Sequence, residues 1–145
     1  MTRSKRMEPI KNLADDRERE AGRALSRAQA ALEAAEKQLA DLVSYRAEYA
    51  ARQQGGAALD VARVQNFQAF LGRLEDAIRQ QQRVVDQARV AAEASGSAWR
   101  ERKIESASLG KVVTRLQVQE RVVSDRRDQA ATDERAAMCL PVRPD

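Results

Sequence analysis

Between Pro9 and Pro141 the chain contains no proline. Proline both removes a helical hydrogen bond and crowds the preceding turn, so a span this long without it permits helix almost end to end. One break divides the span. Gln53-Gln54-Gly55-Gly56 gives up side-chain propensity for backbone freedom, and Asp60 just beyond can accept the unpaired amides of a new helix as its N-cap. Pro9 suits the first turn of a helix, where its missing N–H would have no partner. The expected elements are a first helix over about 9–54, a turn at about 55–60, a second helix over about 61–139 and a tail at 140–145, all within one domain spanning 1–145.

The spacing of apolar side chains says how such helices pack. In the first half Leu25, Ala28, Leu32, Ala35, Leu39, Leu42 and Tyr49 follow one another at steps of three, four or seven, with Arg46 in the one polar slot. In the second half Phe67, Leu71, Leu74, Ile78, Gln81 and Val85 open a four-three alternation that continues through Trp99, Leu109, Val113, Leu116 and Val123 to Ala130. Both are a/d seams of the coiled-coil kind. A short Gly-Gly connection can only return the chain alongside itself, so the fold class is all-α, two long helices forming an antiparallel coiled-coil hairpin with the second helix longer. At 1.5 Å per residue the two helices would measure about 68 and about 118 Å. With the turn centred near residue 57, residue 10 lies opposite about 104. That leaves Leu109, Val113, Leu116 and Val123 without an intramolecular partner, so a second copy, a fold-back or another protein is expected to cover them. Alanine at half the seam positions, with Gln81, Ser95, Arg102, Glu120 and Arg127 among the rest, predicts modest stability. Ser95-Gly96-Ser97 and Gly110 predict local bending or fraying.

Composition then removes classes of function. The chain has no histidine and a single cysteine, Cys139. A disulfide within the chain, a zinc finger, a Cys/His pair and a serine triad each need groups that are absent, which leaves only carboxylates for catalysis. The adjacent pairs Asp15-Asp16 and Glu75-Asp76 read as solvated helix faces, because neighbouring residues on a helix point about 100° apart and cannot converge. Gly55-Gly56 lacks the spaced glycines and the Lys-Ser/Thr of a phosphate-binding loop. No enzyme activity, cofactor or metal site is therefore expected. No apolar run approaches the ~18 residues that cross a bilayer, so direct membrane insertion is not expected. Met1 to Met7 is followed by charge rather than by an apolar segment, and so is not read as a signal peptide. Cys139 fits a reducing cytoplasm. Of the 26 basic residues 21 are arginine, but Glu75, Asp76, Asp86, Glu93, Glu101 and Glu105 interrupt any stripe. Nucleic acid is not expected as a partner, and docking to an acidic protein surface fits planar guanidinium groups better.

Beside the seam of the second helix runs another strip, Phe70, Leu74, Ala77 and Gln81 at i, i+4, i+7 and i+11, which makes the apolar arc wider than one opposing helix covers. Phe70 can be read as a flanking residue that closes the hairpin core, or as part of a helix-in-groove contact for another protein. Trp99, the only tryptophan, has the same two readings, a wide core residue opposite small side chains or a partner anchor.

Leu39, Leu42, Tyr45, Glu48 and Tyr49, then Asn66-Phe67-Gln68-Ala69-Phe70-Leu71, Leu74-Glu75, Ala77-Ile78 and Ala98-Trp99-Arg100-Glu101-Arg102-Lys103, resemble the flagellar FliJ family. Ile10-Lys11-Asn12-Leu13-Ala14 and Arg135-Ala136-Ala137-Met138 are similar to that family's two ends. The resemblance implies a non-catalytic, stalk-like component of the flagellar type III export apparatus, cytoplasmic and peripheral at the cytoplasmic face of the cell membrane. Its implied partners are the flagellar export ATPase hexamer, the cytoplasmic part of the export-gate membrane protein and export chaperones. The resemblance puts the gate contact on Phe70, Leu74, Ala77 and Gln81. A histidine is familiar at the last of these places, so no protonation-dependent role carries over to Gln81. Leu109, Val113, Leu116 and Val123 are the candidate surface for the ATPase ring or another partner, and Tyr45, Tyr49, Phe67 and Trp99 the candidate structural anchors. The alternative reading is a self-associating structural coiled coil unrelated to export.

Overall fold

The computed structural model describes residues 1–54 and 60–139. The expected Gly55-Gly56 turn and the tail from Leu140 lie outside the described residues. Two helices account for nearly all of the rest, α1 (Arg3–Gln54, 52 residues) and α2 (Val61–Met138, 78 residues), with no strand among the described residues. The fold class is all-α, a helical hairpin whose second helix is the longer. Asp60 opens α2 as its sequence position predicts: Oδ1 accepts the Ala62 amide at 3.3 Å and the main-chain oxygen accepts the Val64 amide at 3.1 Å.

Packing divides the chain into two units, Met1–Arg19 with Glu101–Asp145, and Glu20–Arg100. The second of these holds most of the large apolar seam. Leu25, Ala28, Leu32, Leu39, Leu42 and Tyr49 of α1 are half-buried and Ala35 is buried; on α2, Leu74 and Val85 are buried. The chain order of the facing residues is antiparallel. Gly22 lies against Trp99, Gln81 Nε2 donates to the Ala35 carbonyl at 3.0 Å, Arg46 pairs with Glu75 at 2.7 Å, and Tyr49 stacks on Phe67.

Two glycines there lie directly against side chains of the facing helix. A Cβ at Gly22 would stand 3.4 Å from Trp99 Nε1 and 3.5 Å from Cδ1, so this edge of the indole packs directly against the α1 backbone. A Cβ at Gly96 would stand 3.8 Å from Leu25 Cδ1. The sequence suggested bending or fraying around Ser95-Gly96-Ser97 and near Gly110, but α2 is unbroken helix through both. Each glycine sits under a side chain of α1, Leu25 over Gly96 and Lys11 over Gly110, and that packing offsets a helix penalty of roughly 0.5–1 kcal/mol per glycine.

The unit built from Met1–Arg19 and Glu101–Asp145 corrects two expectations. α1 begins at Arg3 rather than at about residue 9, with Pro9 inside it. Pro9 faces solvent, as does Lys5, so the carbonyl that loses its helical amide partner can be hydrated. The added turns continue the seam at steps of three and four through Ser4, Met7, Lys11 and Ala14, each buried or half-buried. These residues cover what the sequence left uncovered. Val113 is only 5% exposed, and Leu109 and Leu116 are half-buried; of the four residues expected to lack an intramolecular partner, only Val123, at 46%, stays open.

Polar groups hold this unit where apolar ones are scarce. Ser4 donates its amide to Glu120 Oε1 at 2.9 Å and its hydroxyl to Oε2 at 2.6 Å, so a carboxylate of α2 caps the first turn of α1. Ser106 donates its hydroxyl to Asp15, which also pairs with Lys11 at 3.1 Å. The Ser4 hydrogen bonds hold the Glu120 carboxyl below its ordinary value of 4.5, and the Ser106 and Lys11 bonds hold Asp15 below 3.8. A carboxyl whose folded pKa is depressed stabilises the fold above its unfolded pKa, and the contribution disappears as pH falls through the lower folded value. Amide protection over residues 4–15 should therefore be full at neutral pH and should collapse below about pH 4, while Glu20–Arg100 keeps its protection. Glu120→Ala should produce the same local loss at pH 7. Hydrogen exchange read residue by residue checks both, and a uniform loss over both units would contradict the assignment.

Candidate protein-binding surfaces

Four rings gather where α1 ends and α2 begins. Tyr49 stacks on Phe67 with centroids 5.0 Å apart, Phe70 lies 4.6 Å from Tyr49, and its edge meets Tyr45 at 6.3 Å. The spacing explains the cluster: Tyr45 and Tyr49 are one turn apart on α1, Phe67 and Phe70 one turn apart on α2, and antiparallel pairing brings the two turns level. Tyr45 remains 44% exposed and Phe70 half-buried, so the cluster is both core and surface.

The strip Phe70, Leu74, Ala77 and Gln81 is brought together on one side of α2, but much of it is engaged by α1. Leu74 is 7% exposed and Gln81 is tied to the Ala35 carbonyl, whereas Ala77 and Phe70 are half-buried and present part of their surface outward. The bond to Ala35 explains a polar side chain at a seam position: the amide completes a helical carbonyl instead of leaving its own polar atoms bare. Trp99 is half-buried over Gly22, in the place where a wide residue opposite a small one fills space. On the other side of the aromatic end, Leu39, Ala40, Val43 and Ala47 of α1 line an open groove of about 570 Å³ with Gln82 and Val85 of α2.

Leu116 and Val123 meet again in the other unit, where with Thr2, Arg3, Glu120 and Arg127 they line an open groove of about 440 Å³ beside the first turn of α1. Leu109 and Val113 lie further along the covered part of the seam. From Arg121 to Met138 every residue of α2 is exposed. Sequence reasoning put Ser106 and Glu120 on the seam of the second helix but missed Ser4 as the partner of Glu120, and Asp15, read as part of a solvated face, is half-buried and bound by Ser106. The four-three spacing does run back through Ser4, Met7, Lys11 and Ala14, but on residues that carry almost no apolar signal.

Among the described residues no cluster of His, Cys, Asp or Glu has the makings of a metal site, and no helix is long and apolar enough to cross a membrane. What the surface offers is side-chain area along a paired-helix body, the property of a coiled-coil interaction protein. The family model described as Flagellar FliJ protein matches residues 3–143, nearly the whole chain, and the chain belongs to that family. Membership makes it a flagellar, export-related protein. No curated protein matches it.

The ring contacts generate a measurable expectation. Phe70→Ala removes packing against the rings of Tyr45 and Tyr49 from a half-buried site and should destabilise the protein by about 1–3 kcal/mol, at or below the range for a fully buried ring. Thermal denaturation followed by circular dichroism checks this. An unchanged melting temperature would mean that Phe70 carries no core packing.

Proposed function

We propose that this chain is a non-catalytic, stalk-like component of flagellar type III export, working in the cytoplasm and at the cytoplasmic face of the membrane. It docks in the ring of the export ATPase, contacts the cytoplasmic part of the export gate and escorts export chaperones. The observation that carries the reading, beside family membership, is that α2 outruns its partner: α1 begins at Arg3, its first turn is capped by Glu120, and α2 continues to Met138 with every side chain from Arg121 onward exposed. A helix end of this kind, with Leu116 and Val123 opening into a groove at its base, suits insertion into a protein ring. The outward parts of Phe70 and Ala77, next to exposed Tyr45, suit a second partner on the body of the hairpin, with Leu74 and Gln81 setting the position of that strip from beneath. Hydrolysis then belongs to the ATPase, and this chain contributes shape and contact.

Two measurements separate the parts of the proposal. Added to the cognate export ATPase, the chain should promote ring assembly and raise hydrolysis, and Val123→Asp should abolish the effect while leaving the melting temperature within about a degree, because an exposed substitution costs little. In a binding assay with the soluble domain of the export gate, Ala77→Glu should weaken binding at least about tenfold, the cost of an unpaired charge at a contact. No ATPase response over a full titration would remove the stalk role. Sedimentation equilibrium addresses the self-associating alternative, which Val122 and Val123 would favour by their exposure: the export reading requires a monomer at micromolar concentration.

A further inference from the structure

In the unit formed by Met1–Arg19 and Glu101–Asp145, the residue just before each seam position points to one flank of the helix pair. Antiparallel pairing puts those residues of α1 and of α2 on the same flank. On α1 they are Arg3, Arg6, Ile10, Leu13 and Arg17; on α2 they are Glu101, Glu105 and Ser108, then Val112, Arg115, Gln119, Val122 and Arg126. All are exposed; Glu105 is engaged by Arg102 at 3.2 Å, and from Ser108 to Arg126, as from Arg3 to Arg17, none is acidic. The five guanidinium groups take part in none of the ion pairs among the described residues, whereas Arg19, Arg23, Arg27, Arg46, Arg79 and Arg89 each face a carboxylate. Between the arginines stand aliphatic side chains left in water, Ile10 and Leu13 at 50% exposure among them. The opposite flank differs in character: Glu8, Asn12, Gly110 and Gln117 line a groove there.

From this juxtaposition we infer that the flank carrying Arg3, Arg6, Arg17, Arg115 and Arg126 is a docking surface for an anionic phospholipid bilayer. Unpaired cations interleaved with short aliphatic side chains match a layer that offers phosphate groups above a hydrocarbon boundary, with arginine stems lying along the apolar side chains. A protein partner would be anchored through concave sites; Arg3 and Gln119 border the groove beside the first turn of α1, but Ile10, Leu13, Val112 and Val122 line none of the grooves described above. A bilayer needs no such complementarity. The surface lies parallel to both helices, so the chain would adsorb side-on without inserting. This goes beyond the export reading and does not depend on it: the ATPase and gate measurements can succeed or fail independently.

The test uses the full chain and sedimentation of vesicles of phosphatidylcholine with about a third phosphatidylglycerol, beside vesicles of phosphatidylcholine alone. Binding should occur on the anionic vesicles only and should weaken steeply as salt rises. Reversing Arg6, Arg17 and Arg115 together to Glu should lower the partition coefficient at least about a hundredfold, on the basis of about fivefold per surface charge. The control, Arg63, Arg73 and Arg83 to Glu in the other unit, makes the same change in net charge and should keep most of the binding. Replacing Ile10 and Leu13 by Gln should weaken binding several-fold. Equal binding to neutral vesicles would overturn the proposal, as would equal losses in the two arginine triples. So would tighter binding of polyglutamate or duplex DNA than of the anionic vesicles at the same ionic strength, since the flank would then serve an acidic polymer. If the first triple loses helicity, the wild-type comparison of anionic with neutral vesicles decides by itself.

Discussion

Neither helix can hide its apolar stripe except against the other, and that mutual dependence governs everything else in the structure. A single helix in water gains little from its own hydrogen bonds, and helices of 52 and 78 residues persist as ordered elements because a facing partner takes up one side of each. The seam is built largely from alanine and medium aliphatic residues, so the axes come close and the buried area per layer is small. Gly22 beneath Trp99 and Gly96 beneath Leu25 are clear instances, each placing a large side chain directly on the facing backbone.

The two units meet this requirement with different chemistry. Between Glu20 and Arg100 the pairing rests on leucine, valine and a cluster of four rings, with Arg46–Glu75 and the Gln81 bond to Ala35 fixing register. In the unit that contains the first turn of α1, a buried serine, two carboxylates and Val113 replace that apolar wealth. Hydrogen bonds to charged acceptors are directional, and they define which residue faces which more sharply than aliphatic contact does. They are also sensitive to proton concentration in a way that leucine packing is not.

The same division bears on function. A surface that serves partners must remain open after the fold has covered its own needs, and the hairpin leaves different kinds of surface open in different places. The aromatic end is half committed to the core, so a partner there would meet side chains already held in position. The part of α2 beyond Glu120 is exposed along its whole described length. The arginine-rich flank beside Ile10 and Leu13 lies between these extremes, held on a paired-helix scaffold but with its charges unpaired.

Much of this could be read from the amino-acid order. The absence of proline between Pro9 and Pro141, the four-three spacing of Leu25 to Tyr49 and of Phe67 to Leu116, and Asp60 as a cap establish two helices, their seams and their antiparallel return, because these are local or periodic properties of the chain itself. The sequence also set the strip Phe70, Leu74, Ala77 and Gln81 on one side of α2. Only the tertiary structure decided that α1 passes through Pro9 to Arg3, that Ser4 reaches Glu120, and that Leu109, Val113 and Leu116 are thereby covered. Ser4, Met7, Lys11 and Ala14 carry no apolar pattern strong enough to announce a seam. Their pairing comes from hydrogen bonds and close contact between residues about a hundred positions apart, which no local property of either segment encodes.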